Sequence, residues 1–252
     1  MSLTLATLSS SGAPGEPEIF ASLQGEGPSA GRPCVFVRLS RCNLACRWCD
    51  TAYTWRFIGD NRPHVDDLTF ERAENQITLD VREVAMRVLA LWPTRLVLTG
   101  GEPLLQGAAL ARLITMLKDA LPALAVEIET NGSVPPPHAL TMLVDQFNVS
   151  PKLSHSGNAE NLALVPELLR DWAANQKAWF KFVVASEEDI GEVAELQALY
   201  RIAPERLFVM PEGTNSAVLR ERSKWLAGAA LTHGWRFSDR LHIHLYGDTR
   251  GT

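Results

Sequence analysis

No apolar run in this chain of 252 residues approaches the ~20 residues that a bilayer-spanning helix needs. The first twenty residues, MSLTLATLSSSGAPGEPEIF, lack a basic start and a long apolar stretch, so they do not read as a secretory signal. Cysteine is scarce. There are four, three of them clustered, which does not suit a disulfide scaffold and points to a reducing cytoplasm. Positive charge is also in deficit: 24 Lys and Arg against 29 Asp and Glu leave a net charge of −5, which disfavours a broad nucleic-acid footprint. No internal repeat or low-complexity tract is evident. Neither a membrane nor a nucleic-acid partner is expected.

What is present is enough apolar material, 46% of residues, for one large core or two small domains. Short runs rich in Val, Ile, Leu and Phe predict strands at 34–39, 94–100, 125–132, 147–151, 178–185 and 206–213. Between them, apolar residues at three- and four-residue steps predict helices at 79–91, 107–120, 161–174, 188–200 and 216–230. This alternation implies parallel βαβ units with right-handed crossovers. The predicted fold class is α/β, a partial, open parallel β/α barrel of about six βα units in one domain. The segment RLHIHLYGD (240–248) alternates and is read as a further strand. His242 and His244 then share a face, where a structural role is favoured over metal binding. Residues 1–17 read as a flexible arm ahead of a single domain, 18–252. The polar, aperiodic stretch 55–78 reads as an insertion that covers or flanks the preceding loop.

That loop is RCNLACRWCD. It places Cys42, Cys46 and Cys49 in a C-x3-C-x2-C run. Three thiolates this close can hold three irons of a 4Fe–4S cluster and leave the fourth iron open to a small molecule. Zinc would need a fourth ligand. The one other cysteine, Cys34, lies in the apolar run CVFVRL and reads as a small hydrophobe. In α/β sheets and barrels, ligands bind at the carboxyl ends of the strands. Polar groups gather at those ends here: the cysteine loop, Thr99-Gly100-Gly101-Glu102-Pro103, Glu129-Thr130-Asn131-Gly132, Ser150-Pro151-Lys152 and Met210-Pro211-Glu212-Gly213. The double glycine lets backbone approach a ligand without a Cβ in the way. Glu129 is read either as a barrel acceptor or as a surface carboxylate, and Lys181, within WFKFVV, as pointing into the barrel or pairing with a glutamate.

The C-x3-C-x2-C loop followed by GGEP resembles the radical S-adenosylmethionine (SAM) superfamily. In those enzymes the open iron chelates SAM, and one electron cleaves it to methionine and a 5′-deoxyadenosyl radical. Two further segments, EIFASLQGEG (18–27) and FVRLSRCNL (36–44) leading into WCDT (48–51), narrow the likeness. With GGEP and Ser150-Pro151-Lys152, they resemble 7-carboxy-7-deazaguanine synthase at motif level over roughly residues 18–152.

The resemblance implies a ring contraction of 6-carboxy-5,6,7,8-tetrahydropterin to 7-carboxy-7-deazaguanine, with loss of ammonia, on the route to queuosine and other 7-deazapurines. It implies a 4Fe–4S cluster on Cys42, Cys46 and Cys49, recycled SAM, and Mg2+ on the Thr51 hydroxyl. Trp48, Cys49, Asp50, Gly101, Ser150, Pro151 and Lys152 would contact SAM. Leu23, Gln24 and Gly25 would line the pterin site, with Arg38 and Thr99 nearby. A flavodoxin or ferredoxin as electron donor, and a homodimer, are further implications. Read without the resemblance, Thr51 is a cap for the next turn.

Two other readings stay open. An enzyme that installs a glycyl radical on a partner protein would share the cysteine loop but need a protein-binding face. The polar turn in EIFASLQGEG favours a small heterocycle instead. An iron–sulfur electron carrier would hold a fully ligated cluster and need none of the polar strand ends.

Overall fold

The computed structural model describes residues 1–8 and 15–252. The six predicted apolar runs all form strands buried on both faces: β3 (Pro33–Leu39), β5 (Arg95–Gly100), β6 (Ala125–Thr130), β7 (Gln146–Val149), β8 (Ala178–Val184) and β9 (Leu207–Pro211). Val37, Leu96, Leu98, Ile128, Phe147 and Phe180 are fully buried at its centre. These strands pair in parallel in the order β9-β8-β7-β6-β5-β3, and the sheet does not close on itself by hydrogen bonds. This is the open barrel that the alternation predicts. A short strand β10 (Arg236–Phe237) extends it beside β9.

The crossover helices pack through their apolar stripes. Val81–Leu89 starts on the Asp80 side chain, which accepts from the Arg82 N–H, and buries Val81, Val84, Ala85 and Val88. Gly107–Ala120 buries Leu110, Leu113, Ile114 and Leu117 in the same way. Among the described residues, no helix is long and apolar enough to cross a membrane.

Besides the parallel β10, three strands were not foreseen, and these three are antiparallel: β1 (Ser2–Ala6), β2 (Ile19–Leu23) and β4 (Gln76–Asp80). The arm expected at 1–17 is therefore corrected at its start. Leu3 and Leu5 are fully buried, and Ser2–Ala6 forms a five-pair ladder with Gln76–Asp80. The physical cause is the alternation Leu3-Thr4-Leu5, which gives a short strand one wholly apolar face. Residues 9–14 of that arm lie outside the described residues. The same ladder takes residues 76–78 out of the supposed insertion.

The strand expected at 240–248 is also corrected. Leu241–Tyr246 is a helix that ends at Gly247 (φ 71°). The six-residue run LHIHLY is short enough to fit both periods. The change of period separates the two histidines: His242 turns to the barrel cavity, while His244 pairs with Asp239 at 3.1 Å.

Candidate active site

One cavity opens at the carboxyl ends of the parallel strands. Cys42, Cys46 and Cys49 lie along its wall, as do Leu23, Gln24, Gly25, Arg38, Trp48, Asp50, Thr51, Thr99, Gly101, Ser150 and Lys152. The sheet register explains part of this convergence, since Arg38 and Thr99 are direct neighbours across β3 and β5. Pro151 is buried next to Ser150 but does not line the cavity.

The glycines of GGEP serve the fold before any ligand. Gly100 has φ +126°, and a Cβ there would overlap the Leu39 backbone; a Cβ at Gly101 would overlap the Arg41 carbonyl. Chain thus packs on chain where the cysteine loop leaves β3. Glu102 does not face a ligand either. It is fully buried and accepts from the Leu104 N–H, the Thr130 hydroxyl and the Asn131 N–H, which ties the end of β5 to the end of β6. Burial outweighs these donors and pushes its pKa up to about 7.

The cysteine loop is held from two sides. Arg47 N–H donates to the Ser156 carbonyl, and Ala45 N–H to Asn158 Oδ1 at 2.8 Å. On the other side Trp55, 5% exposed, donates its indole N–H to Cys49 Sγ at 3.3 Å, and His64 Nε2 lies 2.9 Å from the Cys49 carbonyl. The start of the 55–78 stretch therefore lies against the cysteine loop. Burial pushes the Cys42 thiol up to about 12 and Cys49 to about 11, and raises Cys46 too.

The deep end of the cavity is ionic. Lys181 donates to Glu129 at 2.8 Å and to Glu26 at 2.5 Å. Arg240 bridges Glu26, at 3.1 Å, and Asp50. Burial alone would raise the Glu26 pKa, but Lys181, Arg240 and His242 together hold it well below the carboxylate range. Glu129 also accepts from Gln24 at 3.2 Å and Asn148 at 3.0 Å. Both sequence alternatives for Lys181 hold at once, because it points inward and pairs with glutamates. Arg38 is clamped by the buried Glu18 at 2.7 Å, and Tyr53 donates to the other Glu18 oxygen at 2.9 Å.

The donor sets fit the implied groups. Three thiols on one loop share the cavity wall. Trp48 lines the same space, and its buried indole nitrogen has no partner among the described residues. Thr51 precedes the turn Ala52–Thr54 yet makes no side-chain cap bond, so the capping alternative fails and its hydroxyl is available to a ligand.

The sequence profile of the Radical SAM superfamily matches residues 37–161. The 7-carboxy-7-deazaguanine synthase of Pyrobaculum aerophilum is 39% identical over 93% of this chain and 95% of its own. The chain belongs to the 7-carboxy-7-deazaguanine synthase family. The synthase of Hyperthermus butylicus is 35% identical, covering 90% of each chain. A crystal structure of QueE from Escherichia coli superposes with a TM-score of 0.64 over 95% of both chains, at 22% identity, a likeness of fold.

Against this synthase frame, sequence reasoning missed Glu26, Tyr53 and Arg240 in the cavity, and read His242, which also lines it, as structural. Glu26 stood inside a motif already noted, EIFASLQGEG, and its flanking glycines were the available signal. Arg240 had none, because only folding brings the last helix to Gly25, whose carbonyl accepts from the Leu241 N–H at 3.0 Å.

Proposed function

We propose that this chain converts 6-carboxy-5,6,7,8-tetrahydropterin to 7-carboxy-7-deazaguanine, with Mg2+ as a further cofactor. The observation that carries the proposal is one cavity with three cluster-type thiols on its wall and a buried ionic floor shaped by Gln24, Glu26, Glu129 and Lys181. Cys42, Cys46 and Cys49 would hold a 4Fe–4S cluster, which together with SAM would supply one-electron radical chemistry.

The residues of the chain bind and orient. Cys42, Cys46 and Cys49 hold the cluster. Trp48, Asp50, Gly101, Ser150 and Lys152 face SAM, with Lys152 positioned by the Ser150 hydroxyl at 2.9 Å. Pro151 acts through the backbone by fixing Ser150. Gln24, Glu26 and Glu129 offer acceptors to the N–H edge of a pterin, beside Leu23, Gly25 and Thr99. Arg38, fixed by the Glu18 carboxylate, which favours its cationic form against the opposing effect of burial, offers its remaining N–H groups to a carboxylate. Thr51 gives its hydroxyl to Mg2+, a hard ion that needs few protein ligands when the substrate supplies oxygens.

The proposal extends to a flavodoxin- or ferredoxin-type electron donor, a homodimer and a cytoplasmic setting. The barrel interior favours a small substrate over a protein partner, because the ionic groups are buried. The test is product formation by the reconstituted protein in the absence of any second polypeptide other than the electron donor.

A further inference from the structure

Each clustered thiol receives one side-chain N–H donor, and the three donors come from three separate parts of the chain. Asn158 Nδ2 lies 3.3 Å from Cys46 Sγ, Trp55 Nε1 3.3 Å from Cys49 Sγ, and Asn131 Nδ2, more distantly, 3.9 Å from Cys42 Sγ. The amide orientations follow from their other bonds. Asn158 Oδ1 accepts from the Ala45 N–H at 2.8 Å, and Asn131 Oδ1 from the Ser133 N–H at 2.9 Å. The NH2 ends must therefore face the sulfurs. The indole of Trp55 is a donor only.

These donors are themselves held. Asn131 N–H is fixed to Glu102 at 2.8 Å, and its NH2 also donates to Asn43 Oδ1 at 3.0 Å. Asn158 donates a second bond to Ser156 Oγ at 3.1 Å. Trp55 is buried, with the Arg62 guanidinium 4.7 Å from its ring centre. A hydrogen bond to a cluster sulfur stabilises negative charge there. Reduction adds one negative charge, so such bonds favour the reduced state and raise the potential.

We infer that Trp55, Asn131 and Asn158 are positioning residues for the cluster: they hold the three thiolates and make the cluster easier to reduce. This rests on the reading of Cys42, Cys46 and Cys49 as its ligands. The consequence is functional, because the reaction starts only when an external donor can place an electron on the cluster.

The test uses the full chain, reconstituted anaerobically, in the Trp55→Phe and Asn158→Asp variants. Phe keeps an aromatic ring in place without the N–H. Asp keeps the acceptor for Ala45 but turns an acceptor, and a charge, toward Cys46. Redox titration followed by electron paramagnetic resonance, without substrate, reads the midpoint potential. The expected result is a more negative midpoint in both variants, larger in Asn158→Asp, with iron content at the wild-type level. An unchanged midpoint in loaded Trp55→Phe overturns the inference, whatever Asn158→Asp does. Loss of iron from a variant that keeps its folded circular dichroism spectrum supports the holding role. A wild-type protein with no 4Fe–4S signal would instead defeat the cluster reading itself.

Discussion

Lys181 Nζ stands 2.8 Å from Glu129 Oε2 inside the barrel, and the same ammonium reaches Glu26. One buried cation thus fixes the position of two carboxylates. Lys181→Met leaves Glu129 with only neutral donors. Removing one partner of a buried pair costs about 3–5 kcal/mol. Turnover should fall by about a hundredfold, the scale of a misplaced binding group. Urea unfolding and steady-state kinetics check both. A stability loss under about 1 kcal/mol with normal turnover would contradict the assigned role.

Glu102 predicts a pH dependence of stability. Its folded pKa is raised from 4.5 to about 7, chiefly by burial. Its contribution is therefore fully present below about pH 4.5 and lost as pH rises through about 7. At 1.36 kcal/mol per pKa step, the loss is about 3 kcal/mol. Glu102→Gln should remove this slope while costing about 1–3 kcal/mol, because one of the three donors then faces an NH2. Urea midpoints from pH 5 to 8 decide it, and equal slopes in the two proteins would rule Glu102 out as the source.

Gly100 holds φ +126° with no room for a Cβ against Leu39. Gly100→Ala should destabilise the fold by about 3 kcal/mol from strain and overlap together. The loss should appear in thermal unfolding of the metal-free protein. A Tm equal to that of the wild type would show that the close approach of β3 and β5 is not required.

Thr51 makes no cap bond, and its hydroxyl lies 3.6 Å from Cys49 Sγ. Thr51→Ala should weaken the response of activity to added Mg2+ more than it weakens SAM binding. Titration of each ligand separates the two effects. An unchanged metal response would take Thr51 out of the metal site.

The cysteine loop, GGEP, SPK and the six parallel strands were legible because each is a local pattern: a fixed spacing, or an apolar run of strand length. The strand-end rule then gathered Thr99, Gly101 and Ser150 with no knowledge of the packing, while Arg38 came from the family resemblance. What escaped depends on distant pairing. Ser2–Ala6 becomes a strand because Gln76–Asp80 joins it some seventy residues later, and neither segment forecasts the other. The alternation of residues 240–248 carried two meanings, and only the contact of the last helix with Gly25 selects one. GGEP was read correctly as a close approach, but the approaching partner is the chain itself at Leu39 and Arg41. Asn158 belonged to no motif, and its place beside Cys46 follows from the turn after β7.

The most direct test is an anaerobic reaction of the reconstituted chain with SAM, Mg2+, a reductant and 6-carboxy-5,6,7,8-tetrahydropterin, read by mass spectrometry. The predicted result is 7-carboxy-7-deazaguanine in excess over the SAM consumed, and none from Cys46→Ala. Cleavage of SAM to 5′-deoxyadenosine with no 7-carboxy-7-deazaguanine would contradict the pterin assignment and leave only the radical chemistry standing.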